Sequence, residues 1–274
     1  MSVRVEGLTA GYGNVTVLHA VRLEIESGRI CALIGRNGSG KTTLMRCING
    51  FLKPSKGKIS VSGKDISLLR RNDLAGLISL VPQGNYSPFM FSSLEMVLMG
   101  GATRVKPWAA PGADEKSRAV AVCRAVGVAE LADKPFNCLS GGQKQLIMLA
   151  RALHQDAPVM LLDEPNSHLD FSNQHRMMGL MRRVVKERGV TALITLHDPN
   201  LALYYSDDVV LLKEGRVVAA GPTGEIMDDR HLADTLGDNV KLDRTLSGER
   251  VVVPRNVADV PTEYPEPAPL SANK

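Results

Sequence analysis

The sequence predicts an α/β fold. A core of alternating strands and helices carries antiparallel strands at its N-terminus and a helical insert between about residues 85 and 150. Three observations lead there. Short apolar runs recur at RICALIG (29–35), PVMLLDE (158–164) and VTALITLHD (190–198), as strands buried on both faces require. Stretches of helical period stand between them. The first twenty-five residues instead alternate apolar and polar.

Val3, Val5, Val17, Leu23 and Ile25 sit among polar residues, with GYGN (11–14) as a turn, so the N-terminus reads as antiparallel strands. After RICALIG comes a glycine-rich loop and then TTLMRCINGFL, a helix stopped near Gly50 and Pro54. GKISVSG (57–63) and LISLVPQ (77–83) are short strands. Beyond residue 85 the pattern turns helical. SSLEMVLMG is one helix, and DEKSRAVAVCRAVGVAELA (114–132) a second, with Ala119, Val120, Cys123 and Val126 as its apolar stripe. GATRVKPWAAPGA between them reads as a loop, and LSGGQKQLIMLARALHQ as a third helix. SNQHRMMGLMRRVVKERG (172–189) is a helix stopped by glycine, NLALYYS another, and DVVLLKEGRVVAAG a hairpin turning at Glu214-Gly215. The Pro-rich polar end, residues 258–274, is expected to be disordered.

The chain has 274 residues, 44% of them hydrophobic and 23% charged, as in an ordinary globular protein. Its net charge of +4 comes without a basic block, which argues against nucleic acid as a partner. No apolar run is long enough to span a bilayer, and the N-terminus lacks the apolar core of a signal peptide, so a cytosolic chain is expected. Cys31, Cys47, Cys123 and Cys138 show no CxxC spacing and are expected to be buried or half-buried thiols. Met90, Met96 and Met99 read as core positions, with exposed apolar surface near Phe89 and Phe91.

The chemistry starts at GRNGSGKT (35–42), which fits G-x-x-x-x-G-K-[ST] between a buried strand and a helix. Such a loop turns successive backbone N–H groups toward phosphate oxygens, and side chains would obstruct it. The following helix adds its positive end; Lys41 reaches the β and γ phosphates, and Thr42 offers a hydroxyl to Mg²⁺. Asp163 and Glu164 end the second buried strand, where a doubly wound sheet binds its ligand. Asp163 is placed to hold Mg²⁺. Glu164 can act on a water aligned with the γ-phosphate, as general base or orienter. Tyr12, Gln83 and His197 are unremarkable singly, yet all fall near strand ends.

Taken together, these residues closely resemble the ATP-binding subunit of an ABC transporter, with a P-loop NTPase (RecA-like) core, over about residues 1–235. The motifs come in that family's order: Tyr12 as the A-loop aromatic, GRNGSGKT as Walker A, Gln83 as the Q-loop, LSGGQ (139–143) as the signature, VMLLDE as Walker B, Asp170 closing the D-loop PNSHLD, and His197 as the switch histidine. The resemblance implies that Tyr12 stacks on adenine. Gly35, Arg36, Asn37, Gly38, Ser39, Gly40, Lys41, Thr42 and Thr43 would hold the nucleotide, Gln83 would join Thr42 and Asp163 at the Mg²⁺, and His197 would contact the γ-phosphate. It also implies that Ser140, Gly141, Gly142 and Gln143, with Asp170, serve the nucleotide of a second copy packed head to tail. Asn166 stands where the family often has threonine, and Pro199 where leucine is commoner; neither removes a functional group.

The resemblance further implies an ATPase domain over 1–240, an extension over 241–257 with a short strand at GERVVVPR, and a tail over 258–274. Its partners would be a second copy, a transmembrane permease and, indirectly, a substrate-binding protein, at the cytoplasmic face of the membrane. VLMG, ADKPFNCLSGGQKQLIMLARAL and LHDPNLALYYSDDVVLLKEGRVVAAGP most resemble importers of iron-siderophore, haem and cobalamin; zinc, manganese and molybdate importers, and exporters, are the alternatives. A GTPase would carry NKxD, which is absent, and a soluble ABC ATPase usually has two cassettes or long coiled coils.

Overall fold

The computed structural model describes residues 2–84, 88–106, 108–167 and 169–255. The expected disordered tail, His168 of PNSHLD and Pro107 of the expected loop lie outside the described residues.

Strands β1 (Val3–Tyr12) and β2 (Val15–Ile25) pair antiparallel, and β4 (Lys56–Val61) and β5 (Lys64–Asp65) extend them into a sheet of order β2-β1-β4-β5. Their alternation has a simple cause. Val3, Val5 and Leu23 face a core while Arg4, Glu6 and Glu24 face solvent.

The second sheet has the order β10-β9-β3-β8-β7-β6. Strands β3 (Ile30–Ile34), β6 (Ile78–Val81), β7 (Val159–Leu162), β8 (Thr191–Leu196) and β9 (Asp208–Lys213) run parallel, and β10 (Arg216–Pro222) returns antiparallel from β9. The β9–β10 turn is the expected Glu214-Gly215, both at positive φ as a two-residue type I′ hairpin requires.

The parallel sheet separates two cores. Ile30, Ala32 and Ile34 of β3 face one, and Cys31 and Leu33 the other. The second core also holds the inner face of the antiparallel sheet and Leu44, Cys47 and Ile48 of α1 (Lys41–Ile48). Each β3 residue is buried, so truncating Leu33 to alanine is expected to cost about 2–5 kcal/mol.

A five-residue helix, α2 (Arg71–Ala75), precedes β6. Helices α3 (Ser93–Leu98), α4 (Ala113–Val126) and α5 (Gly141–Gln155) stand between β6 and β7 and fill the first core. After β7 come α6 (Phe171–Arg188), α7 (Pro199–Tyr205) following β8, then α8 (Thr223–Ile226) and α9 (Asp229–Leu236). Where one C-terminal strand was expected there is a hairpin, β11 (Val240–Arg244) with β12 (Arg250–Pro254).

The structure corrects several readings. The second insert helix stops at Gly127, whose left-handed φ of 79° closes α4 before residues 129–131 turn as a short 3₁₀ segment. Its buried stripe uses Val122 in place of Val120, because Ala119, Val122, Cys123 and Val126 share the core-facing side. Met96 is buried, but Met90 precedes α3 in a loop and is exposed, as is Phe89. Cys31, Cys47 and Cys123 are buried, whereas Cys138 ends a 3₁₀ turn at the surface.

Candidate functional site

The parallel register determines which residues meet. Ile34 lies opposite Leu196, Ile194 opposite Leu162, and Leu162 opposite Val81. The residues that follow these strand ends, Gly35, His197, Asp163 with Glu164, and Gln83, therefore share one edge of the sheet.

At that edge the loop from Gly35 to Gly40 curls into the start of α1. A Cβ on Gly35 would lie 2.2 Å from the Leu212 carbonyl oxygen, and Gly40 takes a left-handed φ of 104°. Both positions need glycine, the first for space and the second for conformation. Arg36, Asn37 and Gly38 form the crest. Ser39 is buried, and its hydroxyl has no partner among the described residues. A buried unpaired hydroxyl is costly unless something outside the chain bonds it, and here it sits in the curl where an anion would lie. Lys41 Nζ folds back to the carbonyls of Gly35 (2.8 Å) and Arg36 (3.2 Å). Burial lowers the pKa of this ammonium, and the charges of Glu164 and Asp163 work against that shift. Thr43 points into the protein beside them.

Thr42 lies near enough to Asp163 to favour its charged form, and both line a cavity of about 360 Å³ with Gln83. Burial raises the pKa of Asp163, while its hydrogen bond from Thr195 lowers it and the Glu164 charge raises it further. A hydroxyl, a desolvated carboxylate and an amide oxygen form a hard oxygen set that fits Mg²⁺. No cluster of three or more His, Cys, Asp or Glu suited to a metal occurs among the described residues, so such a cation would rely on these groups and on phosphate.

Glu164 is the centre of the polar contacts. Its Oε2 accepts from Gln83 Nε2 at 2.6 Å, and its Oε1 lies 2.8 Å from His197 Nε2. Its backbone sits at φ 49°, which is unusual for a residue with a side chain and is common at functional positions. Thr195, which sequence reasoning missed, holds Asp163 by its carboxylate and Glu164 by its main chain. Its hydroxyl accepts from Glu164 N (2.6 Å) and donates to Asp163 Oδ1 (3.0 Å). The available signal was a threonine two residues before His197 within an apolar strand. Tyr12, at the tip of β1, is partly exposed, and its hydroxyl accepts from Arg46 of α1 at 3.0 Å, another contact that spacing did not foretell.

The signature residues lie elsewhere. Ser140 caps α5: its Oγ accepts from Gln143 N at 3.3 Å while its own N–H donates to Gln143 Oε1 at 3.1 Å. The cap uses an oxygen lone pair and leaves the hydroxyl proton to donate outward. Gly141 is the first residue of the helix, and Gly142 packs on Leu169, where a Cβ would come within 2.9 Å of Cδ2. Ser140, Gly142, Gln143 and Leu169 line a cavity of about 320 Å³ that shares no residue with the cavity of Thr42 and Asp163. Asp170 caps α6, accepting from Asn173 N at 2.8 Å.

Comparison with known proteins agrees with this geometry. The family model described as ABC transporter matches residues 18–167. A second model, described as "AAA domain, putative AbiEii toxin", matches residues 133–203 and overlaps the first over 133–167. The chain is 37% identical over 234 residues to the "Probable iron chelatin transport ATP-binding protein" of Helicobacter pylori, covering 85% of this chain and 92% of that one. It is 32% identical over 253 residues to the ferric enterobactin transport ATP-binding protein of Escherichia coli, covering 92% and 93%. Among solved structures, an inward-facing transporter described as of metal-chelate type superposes with a TM-score of 0.82 at 29% identity, covering 93% of this chain and 98% of that one. A dimeric bacterial ABC transporter cassette gives 0.73 at 26% identity, covering 81% and 98%. The chain belongs to the ABC transporter family, as an ATP-binding and ATP-hydrolysing subunit with a P-loop core.

Proposed function

We propose that this ATPase powers import of an iron chelate, haem or cobalamin through a membrane permease. The observation that carries the ATPase half is Glu164 held between Gln83 and His197 at the edge that bears the phosphate loop. The importer half is supported by the relatives named for iron chelatin and ferric enterobactin transport, and by the hemin import ATP-binding protein of Rhodococcus jostii at 32% identity over 258 residues.

Tyr12 stacks on adenine, and the backbone of residues 35–43 with Lys41 cradles the phosphates. Thr42, Asp163 and Gln83 hold Mg²⁺, which when bound neutralises charge on the transferring phosphoryl group. Glu164 orients the attacking water and takes its proton, and His197 contacts the γ-phosphate and keeps Glu164 in place. Ser140 and the α5 N-terminus serve the nucleotide of a second copy, a reading supported by the two separate cavities of one chain. The γ-phosphate would then touch both copies, and its loss opens the dimer.

No helix among the described residues is long and apolar enough to cross a membrane, so transport needs a permease. Exposed Phe89 and Met90, just before α3, offer it an apolar contact. The subunit then sits at the cytoplasmic face of the membrane, and a substrate-binding protein acts on it only through the permease. The test is co-purification of the tagged chain from membranes with identification of the bound permease, together with uptake of labelled ferric siderophore, haem and cobalamin in a strain lacking the chain. An importer permease and loss of uptake of one of these cargoes are expected. An exporter partner, or unchanged uptake of all three, would overturn the import reading.

A further inference from the structure

The C-terminal hairpin is clipped to the rest of the protein at the Leu242–Val252 pair and again through Arg250. Leu242 of β11 lies opposite Val252 of β12. The N–H of Leu242 and both main-chain groups of Val252 are taken by side chains. Leu242 N donates to Asp229 Oδ1 of α9 at 2.6 Å. Val252 N donates to Asn200 Oδ1 at 2.8 Å, and Asn200 Nδ2 donates back to Val252 O at 3.1 Å. The Asn200 amide thus bonds the free edge of β12 as one residue of a neighbouring strand would. Arg250, two residues before Val252, donates to the carbonyls of Gly224 and Met227 in and after α8, and Val252 is buried in the first core. An isolated two-stranded hairpin is marginal in water, so these contacts give it a defined position.

Asn200 stands three residues after His197. Between them Asp198 caps α7, accepting from Asn200 N at 2.8 Å, and Pro199 occupies the first helical position. This short link has little slack: proline fixes one φ, and the cap fixes the helix entry. A hold on Asn200 is therefore a hold on the backbone of His197, which lies 2.8 Å from Glu164. The Arg36 side chain of the phosphate loop also reaches the hairpin's lead-in, where a Cβ on Gly237 would lie 4.0 Å from its Nη1.

We propose that Asn200 is a positioning residue for hydrolysis, through which the C-terminal hairpin sets the placement of His197. This rests on the reading of His197 as part of the hydrolytic site. Asn200 touches neither phosphate nor the reacting water; it acts by holding the first turn of α7. Small misplacement of a reacting constellation is costly, and the nucleotide-binding loop lies on other elements. The effect therefore falls on kcat and spares KM.

The test is steady-state ATPase kinetics on the full chain with Mg-ATP, for Asn200→Ala, Asn200→Asp, His197→Ala and the double variant His197→Ala/Asn200→Ala. Asn200→Ala is expected to lower kcat about five- to tenfold with KM for ATP within about twofold. Asn200→Asp, which keeps the acceptor for Val252 N–H but sets a carboxylate oxygen against the Val252 carbonyl, is expected to lower kcat at least as far as Asn200→Ala, again with KM spared. Added to His197→Ala, the Asn200 change is expected to cause no further loss, because coupled positions are not additive. An unchanged kcat in Asn200→Ala, a rise in KM alone, or an equal further loss in the double variant would overturn the proposal. If Asn200→Ala melts well below the parent, Asn200→Asp and the double variant decide by the same criteria. A His197→Ala variant with parental kcat would instead overturn the reading of the hydrolytic site.

Discussion

Glu164 and His197 meet at 2.8 Å although they leave different strands, β7 and β8, and are 33 positions apart in the chain. The parallel pairing of Leu162 with Ile194 brings their strand ends level, and a positive φ turns Glu164 across the gap. Gln83 reaches the same carboxylate from β6, so three parallel strands converge on one group.

Glu164→Gln retains the hydrogen-bonding shape but cannot accept a proton as a base. ATP hydrolysis is expected to fall about 100-fold or more, with ATP binding retained. Because the γ-phosphate would stay in place, the variant is expected to elute as a dimer in Mg-ATP on a sizing column; a monomer there would count against the shared site.

Thr195→Val keeps shape and removes the hydroxyl that bonds both Glu164 N and Asp163 Oδ1. A buried N–H left without its acceptor costs about 1–3 kcal/mol, which a urea titration would register. Turnover is expected to drop roughly tenfold as the Asp163 carboxylate and the Glu164 backbone lose their common anchor.

A second polar cluster, within the helical insert, predicts acid sensitivity. Arg104 donates to Glu115 and to the main-chain oxygens of His154 and Gln155, and buried His154 lies 3.1 Å from Glu115. The Arg104 hydrogen bonds hold Glu115 below the usual carboxylate range. Burial, aided by the Arg104 charge, lowers His154 below the usual imidazole value. The unfolded chain protonates His154 first, so stability is full above the ordinary histidine pKa and falls as pH drops below it. The Glu115 contribution is present above the ordinary carboxylate pKa and is lost as pH falls through its depressed value. Melting temperature is therefore expected to decline in two stages on acidification, with the first stage removed in His154→Gln. Arg104→Ala is expected to cost about 2 kcal/mol near neutral pH.

Removal of residues 258–274 is expected to leave ATPase activity and melting temperature within about twofold and a few degrees of the parent, since a Pro-rich polar segment cannot bury enough apolar surface to stabilise the fold. A large loss of activity would assign the tail a structural part.

Much of this was legible in the sequence because local chemistry demands it. A loop that turns its amides inward needs glycine at positions such as Gly35 and Gly40, and a strand buried on both faces must be apolar throughout, as β3 is. Those constraints fall on neighbouring residues, so spacing alone reports them. The cap at Gly127 and the exposure of Met90 and Cys138 were harder, because they depend on which side of a short segment finds a core to pack on.

The sequence by itself determined the order of the main strands and helices as far as β10, though not the short α2 or β5, together with the phosphate loop and the residue types at each strand end. Only the tertiary structure decided that Thr195 ties the Asp163 carboxylate to the Glu164 backbone, that Arg46 holds Tyr12, and that Asn200 bonds Val252 across 52 positions. The physical reason is that a hydrogen bond is short-ranged and directional. Groups distant in the chain acquire it only once sheet register and core packing have placed them within 3 Å or so of each other, and periodicity along the chain carries no record of that distance.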